Sequence, residues 1–402
     1  MPTVEHAASL RSAALEDCPS VLELSSDLVR IPSRGGIDPY EQVLDRMASW
    51  LNSRELGYRR LTGPGGATVA LACEVIGAGP GPRYVLDACL DTAPFGDRSS
   101  WSRSPTSGEI VDGWLHGRGS SDSKTGAAIF AHIVARLKST ASDWAGSVVL
   151  LLDIDEHTGA FGGAKAFFEE TGAPRVDGVM IGYPGQDHVV TGGRGVLRAQ
   201  LHVHGVAGHS GSASSVTPSA IAKAAALVTR LHDADLPGPA DPSFPLPARL
   251  TVTAVNGGEG YSVVPDLCIV NVDVRLTPGF DSQAALKTVR KLAAETDHDW
   301  PGTRATHVEV TTSWPPYALP ANSPLRMALL SAAGDAGIVA TAKVAGPSNI
   351  GNYLAGLGIP ATAGFGVVYD GLHGTDECIL VDSIPTVHAT YHQALLTLLA
   401  KV

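Results

Sequence analysis

Tyr84-Val85-Leu86-Asp87-Ala88-Cys89-Leu90-Asp91-Thr92 is an apolar run that ends in polar side chains. Its first half has the composition of a buried strand, and the chain turns polar where that strand stops. Three more polar clusters follow: Gly117-Arg118-Gly119-Ser120-Ser121-Asp122-Ser123-Lys124-Thr125-Gly126, Asp155-Glu156-His157-Thr158-Gly159 and Leu372-His373-Gly374-Thr375-Asp376-Glu377. In open parallel sheets, ligands bind in the crevice beyond the carboxyl ends of the strands. Cys89, Asp122, Glu156, Tyr183 and His373 each follow a strand or lie in a loop, so such a sheet can bring them to one crevice.

On either side of this strand, apolar periodicity predicts helices over 19–33 and 40–56 and a strand over 68–73. A helix over about 125–137 precedes the apolar strand 147–154, and a helix over 162–170 precedes a strand over 178–182. Strands alternating with helices, with apolar runs buried on both faces, predict an α/β domain with a mostly parallel sheet. The rhythm changes near Gly192. Residues 197–204 alternate as a strand, and 218–231 have helical spacing with Thr217 as the expected cap. Strands 249–256 and 267–275, a helix 282–295 and a strand 307–312 complete a β-α-β-β-α-β order, the split motif of ferredoxin-like modules. After Trp314-Pro315-Pro316 the α/β rhythm returns, with helices 323–335 and 350–357, strand 361–364 and a last helix 386–400. The expected division is a discontinuous α/β domain over 1–191 and 313–402, with an α+β domain over 192–312 inserted in it.

A chain of 402 residues exceeds what one compact core organises, which agrees with two domains. The net charge of −11 argues against nucleic acid or an anionic membrane surface as partner, since both need a basic footprint. No apolar stretch is long enough to span a bilayer. The five cysteines, Cys18, Cys73, Cys89, Cys268 and Cys378, form no C-x-x-C pair and imply no disulfide framework. The first 16 residues lack a basic start followed by an apolar run. A cytoplasmic protein acting on a small molecule is therefore expected, with Cys89 kept reduced.

The four clusters, in this order and spacing, resemble the active site of the co-catalytic zinc amidohydrolases, which include aminoacylase, acetylornithine deacetylase, succinyl-diaminopimelate desuccinylase and glutamate carboxypeptidases. The resemblance spans almost the whole chain. It implies a zinc-exopeptidase-like sheet domain whose inserted ferredoxin-like domain serves as a lid and a dimerisation surface, and hence a homodimer through the lid. It implies that Asp122 binds metal as a bridge and that Glu156 is the general base for the attacking water. His157 stands where a second glutamate usually binds metal, and imidazole is itself a good zinc ligand. His373 keeps the family's pattern of a histidine followed four residues later by a glutamate, here Glu377. Asp122, His157 and His373 can thus hold one divalent ion, zinc foremost, with a position left for water.

The other site of the pair departs from the pattern. Cys89 and Tyr183 stand where the family has a histidine and a glutamate as ligands. A thiolate binds zinc well, but a phenol is a poor ligand at neutral pH. Asp91, a catalytic assistant in the family, orients the histidine that Cys89 replaces, and so loses that partner. Three readings follow: a remodelled site with Cys89 as a ligand, a single-metal enzyme, or metal-free chemistry. The single conventional trio favours one ion over two. As a nucleophile, Cys89 would need a base or a positive neighbour to lower its pKa, and a buried inert thiol is the plainer alternative.

Two more segments concern the substrate. Gly205-Val206-Ala207-Gly208-His209-Ser210-Gly211 resembles the lid segment whose histidine polarises the scissile carbonyl, which assigns His209 to catalysis. Tyr261-Ser262-Val263-Val264-Pro265 and Asp273-Val274-Arg275 resemble the lid segment that holds a substrate carboxylate, with Arg275 as its fork. Ser262 takes the place of the usual asparagine. Asn349, in Gly346-Pro347-Ser348-Asn349, either donates to substrate or belongs to a turn opening a helix. Tyr183 is counted with Arg275 and Asn349 among the substrate-binding residues.

The expected function is a metal-dependent amidohydrolase or peptidase acting on an N-acyl or peptide bond of a small amino-acid-like substrate. The alternatives are a repurposed member that condenses or cyclises its substrate, Cys89-dependent chemistry, and a catalytically silent scaffold that binds a small molecule. Joint retention of Asp122, Glu156, His373, His209 and Arg275 favours the enzyme.

Overall fold

The computed structural model describes residues 4–172, 174–212, 217–239 and 241–400. Its chain divides into two compact units. One contains the chain up to Thr191, Leu319–Lys343 and the chain from Gly358 onward; the other contains Gly192–Ala318 and Val344–Leu357.

The larger unit is built on a six-stranded sheet in the order Arg59–Thr62, Thr68–Ile76, Ser147–Asp153, Arg83–Cys89, Gly178–Ile181, Ala361–Ala363. The first two pairings are antiparallel and the next three are parallel, so the sheet is mixed and mostly parallel. Every residue of Arg83–Cys89 is buried, as expected of a central strand covered on both faces. Alternation places Ala88 and Leu152 in the core formed with the helices Val4–Arg30, Glu41–Ser53, Thr125–Ser139 and Ile384–Leu398. Asp153, paired in register with Cys89, faces the other way and meets the helix Gly162–Phe168. That helix approaches closely at Gly163, where a Cβ would lie 2.5 Å from the Val69 carbonyl oxygen and 2.6 Å from Asp153 Cβ.

The first helix corrects the expectation of 19–33. It runs from Val4 to Arg30 with Pro19 inside it. Proline usually marks a helix start because it lacks an N–H and fixes φ. Here Leu10, Ala14, Val21, Leu24 and Leu28 are all buried, and apolar contact on both sides of Pro19 outweighs its local cost. The helix stops early because Ile31 precedes Pro32, a position that disfavours the helical region. Lys124 caps that end, its Nζ donating to the carbonyls of Leu28 at 2.8 Å and Ile31 at 2.7 Å.

The smaller unit has the β-α-β-β-α-β order, with strands Gly195–His204, Arg249–Gly257, Leu267–Leu276 and His307–Trp314 and helices Ala220–His232 and Ser282–Asp299. The sheet order is Arg249–Gly257, Leu267–Leu276, Gly195–His204, His307–Trp314, antiparallel throughout. Every second residue of Leu267–Leu276 is buried, and these side chains meet Ala224, Leu227, Leu231, Ala285 and Val289 from the helices in a separate core. Ser219, not Thr217, caps the first of these helices, accepting the Ala222 N–H. The unit also reclaims Val344–Leu357, which the expected division left in the sheet domain. Asn352 Nδ2 donates to the carbonyls of Gly193, Arg194 and Pro315, which ties this segment to both ends of the inserted chain.

Among the described residues, no helix is long and apolar enough to cross a membrane.

Candidate active site

Cys89 ends its strand, and two residues later the fully buried Asp91 turns its carboxylate onto the next loop. Asp91 Oδ1 accepts the N–H of Glu156 at 3.1 Å and Oδ2 that of His157 at 2.9 Å. The two N–H groups give Asp91 a purpose that does not depend on a histidine at position 89. It fixes the turn that presents Glu156 and the His157 imidazole, a role separate from the one that Cys89 takes away.

A second set of bonds holds the loops of Asp122 and His373 together. Glu377 Oε1 accepts from the N–H groups of Gly119 at 3.0 Å and Ser121 at 2.9 Å, and from Ser121 Oγ at 2.7 Å. Glu377 Oε2 lies 2.6 Å from Arg118 Nη1, and both side chains are buried. Arg118 Nη2 then reaches the carbonyl of Gly374 at 2.7 Å. The glutamate that follows His373 therefore points away from the crevice and staples its loop to the loop of Asp122. Neither Arg118 nor Glu377 was singled out as a site residue from sequence. The signal that marks them is an arginine between two glycines and a glutamate at fixed spacing from His373.

On this scaffold His373 Nε2 lies 2.9 Å from Asp122 Oδ2, and Ser123 Oγ donates to Asp122 Oδ1 at 2.7 Å. His157 Nε2 is 3.6 Å from Asp122 Oδ2, and its Nδ1 is 3.5 Å from both Asp91 Oδ2 and Glu156 Oε2. Burial opposes ionisation of Asp122, but the imidazoles of His157 and His373 outweigh it and hold the carboxyl well below the usual range.

The donors fit a zinc ion. One ligand atom from each of Asp122, His157 and His373 lies within 4.8 Å of the others. Neither ring nitrogen of His157 makes a well-formed hydrogen bond: both are buried 3.5–3.6 Å from carboxylate oxygens of Asp91, Glu156 and Asp122, loose contacts that leave Nε2 available to an ion. Cys89, Asp91 and His157 form a second trio under the same distance, so His157 belongs to both.

Glu156 stands beside these groups. Burial pushes its carboxyl up to about 7, against the pull of His157, while the charge on Asp122 also raises it. Tyr183 Oη donates to Glu156 Oε1 at 2.6 Å, so the hydroxyl is directed at this carboxylate. Burial drives the Cys89 thiol well above its ordinary value, despite the nearby His157. A nucleophilic cysteine requires the opposite shift.

The remaining candidates lie in the smaller unit. His209 is exposed on a short strand, Gly208–His209, paired with Val263–Val264, and its Nδ1 accepts the Gly211 N–H at 3.0 Å. Arg275 contacts Asp273 at 2.7 Å and Ser348 Oγ at 3.2 Å, and lines a cleft of about 360 Å³ with Arg194, Arg249 and Gly346. Asn349 caps the helix Ile350–Gly356: its Oδ1 accepts the Gly351 N–H at 2.8 Å, and Asn352 completes a capping box. Of its two expected roles, the helix-opening one is visible.

The family model for Peptidase family M20/M25/M40 matches residues 85–397. The chain is 27% identical over 395 residues to a succinyl-diaminopimelate desuccinylase of Pseudomonas syringae pv. syringae, covering 94% of this chain and 99% of that one. Its fold is similar to that of the M20 family metallo-carboxypeptidase Sso-CP2 from Sulfolobus solfataricus, with a TM-score of 0.76, 17% identity and coverage of 94% and 98% of the two chains. It is likewise similar to the di-peptidase Dug1p from Saccharomyces cerevisiae, with a TM-score of 0.75, 13% identity and coverage of 98% and 99%. A match through all four polar clusters, on a sheet and inserted domain of this form, places the chain in peptidase family M20/M25/M40, a family of metal-dependent amidohydrolases and peptidases.

Proposed function

We propose that this protein hydrolyses an N-acyl or peptide bond in a small amino-acid-like substrate, using one zinc ion held by Asp122, His157 and His373. The observation that carries the reading is the convergence of these three candidate ligands beside Glu156, with both His157 nitrogens buried among carboxylate oxygens at 3.5–3.6 Å. Zinc, when bound, polarises a carbonyl and acidifies water.

The protein's own residues do the rest. Asp91 holds the Glu156–His157 turn, and Asp122 and His373 come from two loops locked by Glu377 and Arg118. Glu156 accepts the proton of the attacking water as the new C–O bond forms. It then delivers that proton to the leaving nitrogen as the C–N bond breaks. We assign oxyanion support to His209 and carboxylate anchoring to Arg275, whose planar fork suits that group. A substrate contact through Asn349 would use whatever its cap leaves free. The same reading takes the protein as cytoplasmic and as a homodimer through its smaller unit.

The test is a panel of N-succinyl and N-acetyl amino acids and dipeptides, headed by N-succinyl compounds because a relative along nearly the full chain is a desuccinylase. Expected are zinc-dependent hydrolysis, loss with a chelator, and a fall of about 10²- to 10⁴-fold in Glu156→Gln with zinc retained. Inactivation by a thiol-alkylating agent with no effect of chelation would contradict the proposal.

A further inference from the structure

Tyr183 sits just past the strand Gly178–Ile181, at a turn with little room to move. A Cβ at Gly366 would fall 2.2 Å from the Tyr183 carbonyl oxygen, and one at Gly182 would fall 2.9 Å from Phe130 Cε2. The phenol is thus delivered to a fixed place, with its oxygen 2.6 Å from Glu156 Oε1. Burial and the charge on Glu156 push the phenol well above its ordinary value, so it keeps its proton and donates to the carboxylate.

Glu156 has two oxygens. Tyr183 takes Oε1, while Oε2 is left with a loose contact, 3.5 Å from His157 Nδ1. We propose that Tyr183 is a positioning residue that clamps Glu156, so that Oε2 alone receives the proton of the attacking water. The clamp does two things at once. It removes rotamer freedom from the base, whose proton transfer depends on hydrogen-bond geometry. It also commits this corner of the crevice to the base, because a neutral phenol is a poor zinc ligand.

The clamp rests on the amidohydrolase reading, and its test separates the two. Zinc-loaded wild type and Tyr183→Phe are compared in zinc per chain and in kcat and KM on the N-acyl amino acid that the wild type cleaves fastest. A crystal structure of the zinc-loaded wild type is determined alongside. Tyr183→Phe should keep its zinc and a KM within about twofold, while kcat falls roughly 10- to 100-fold, as for loss of one hydrogen bond to a charged group. An unchanged kcat overturns the clamp, and so does loss of zinc, which would make Tyr183 a ligand. If the wild type cleaves nothing in the panel, the functional reading fails and the crystal structure decides. Tyr183 Oη on Glu156 upholds the clamp, and Tyr183 on zinc or turned away overturns it.

Discussion

The N–H of His157 donates to Asp91 Oδ2 at 2.9 Å, across 66 residues of sequence. Through this bond and its partner at Glu156, one buried carboxylate sets the direction of both the base and a candidate ligand. Asp91→Asn keeps the size of the side chain but leaves only one acceptor oxygen for two N–H groups. Zinc affinity should fall roughly 10- to 100-fold, as for loss of a group that orients a ligand. Competition with a chromophoric chelator measures it, and an unchanged affinity would show that the turn holds without Asp91.

Glu377 is buried with Arg118, and both of its oxygens are engaged. Glu377→Ala leaves a buried guanidinium without its counter-charge, which typically costs about 3–5 kcal/mol. The midpoint of urea unfolding should fall accordingly. Zinc binding should weaken as well, because the loops of Asp122 and His373 lose their shared anchor. A variant as stable as the wild type would show that the ion pair is dispensable.

His132 provides a pH-dependent term remote from the crevice. Its ring is buried against Trp50, with Nδ1 2.8 Å from the Ala128 carbonyl and Nε2 2.9 Å from Ser20 Oγ. Burial lowers its pKa to about 4. The folded protein therefore resists a proton that the unfolded chain accepts near 6.5. The contribution to stability is fully present above about pH 6.5 and is lost as pH falls towards 4, amounting to on the order of 3 kcal/mol. Stability measured at several pH values should fall less steeply over this window in His132→Gln than in the wild type. Parallel curves would contradict the assignment.

Strands announced themselves where burial leaves its mark on the sequence, as a continuous apolar run in Ser147–Asp153 and as an alternation in Leu267–Leu276. The loops of the candidate site were legible because each polar cluster stands at the end of such an element. What local pattern concealed was decided by partners far away in sequence. Pro19 reads as a helix start until the packing of Leu10 and Ala14 is known. Residues 344–357 follow the α/β rhythm, yet the hydrogen bonds of Asn352 reach Gly193 and Pro315. Tyr183 looks like a failed metal ligand until its hydroxyl is found on Glu156. Asp91 looks idle beside Cys89 until its two backbone donors are counted.

Zinc per chain, measured by elemental analysis after zinc-supplemented purification, tests the single-ion centre most directly. The wild type, Cys89→Ala and His373→Ala are compared. About one ion is expected in the first two and its loss in His373→Ala, because the second trio, Cys89, Asp91 and His157, shares His157 with Asp122 and His373 and depends on a thiol that burial keeps protonated. Two ions in the wild type, with one lost in Cys89→Ala, would contradict it and make the thiol a ligand of a second site.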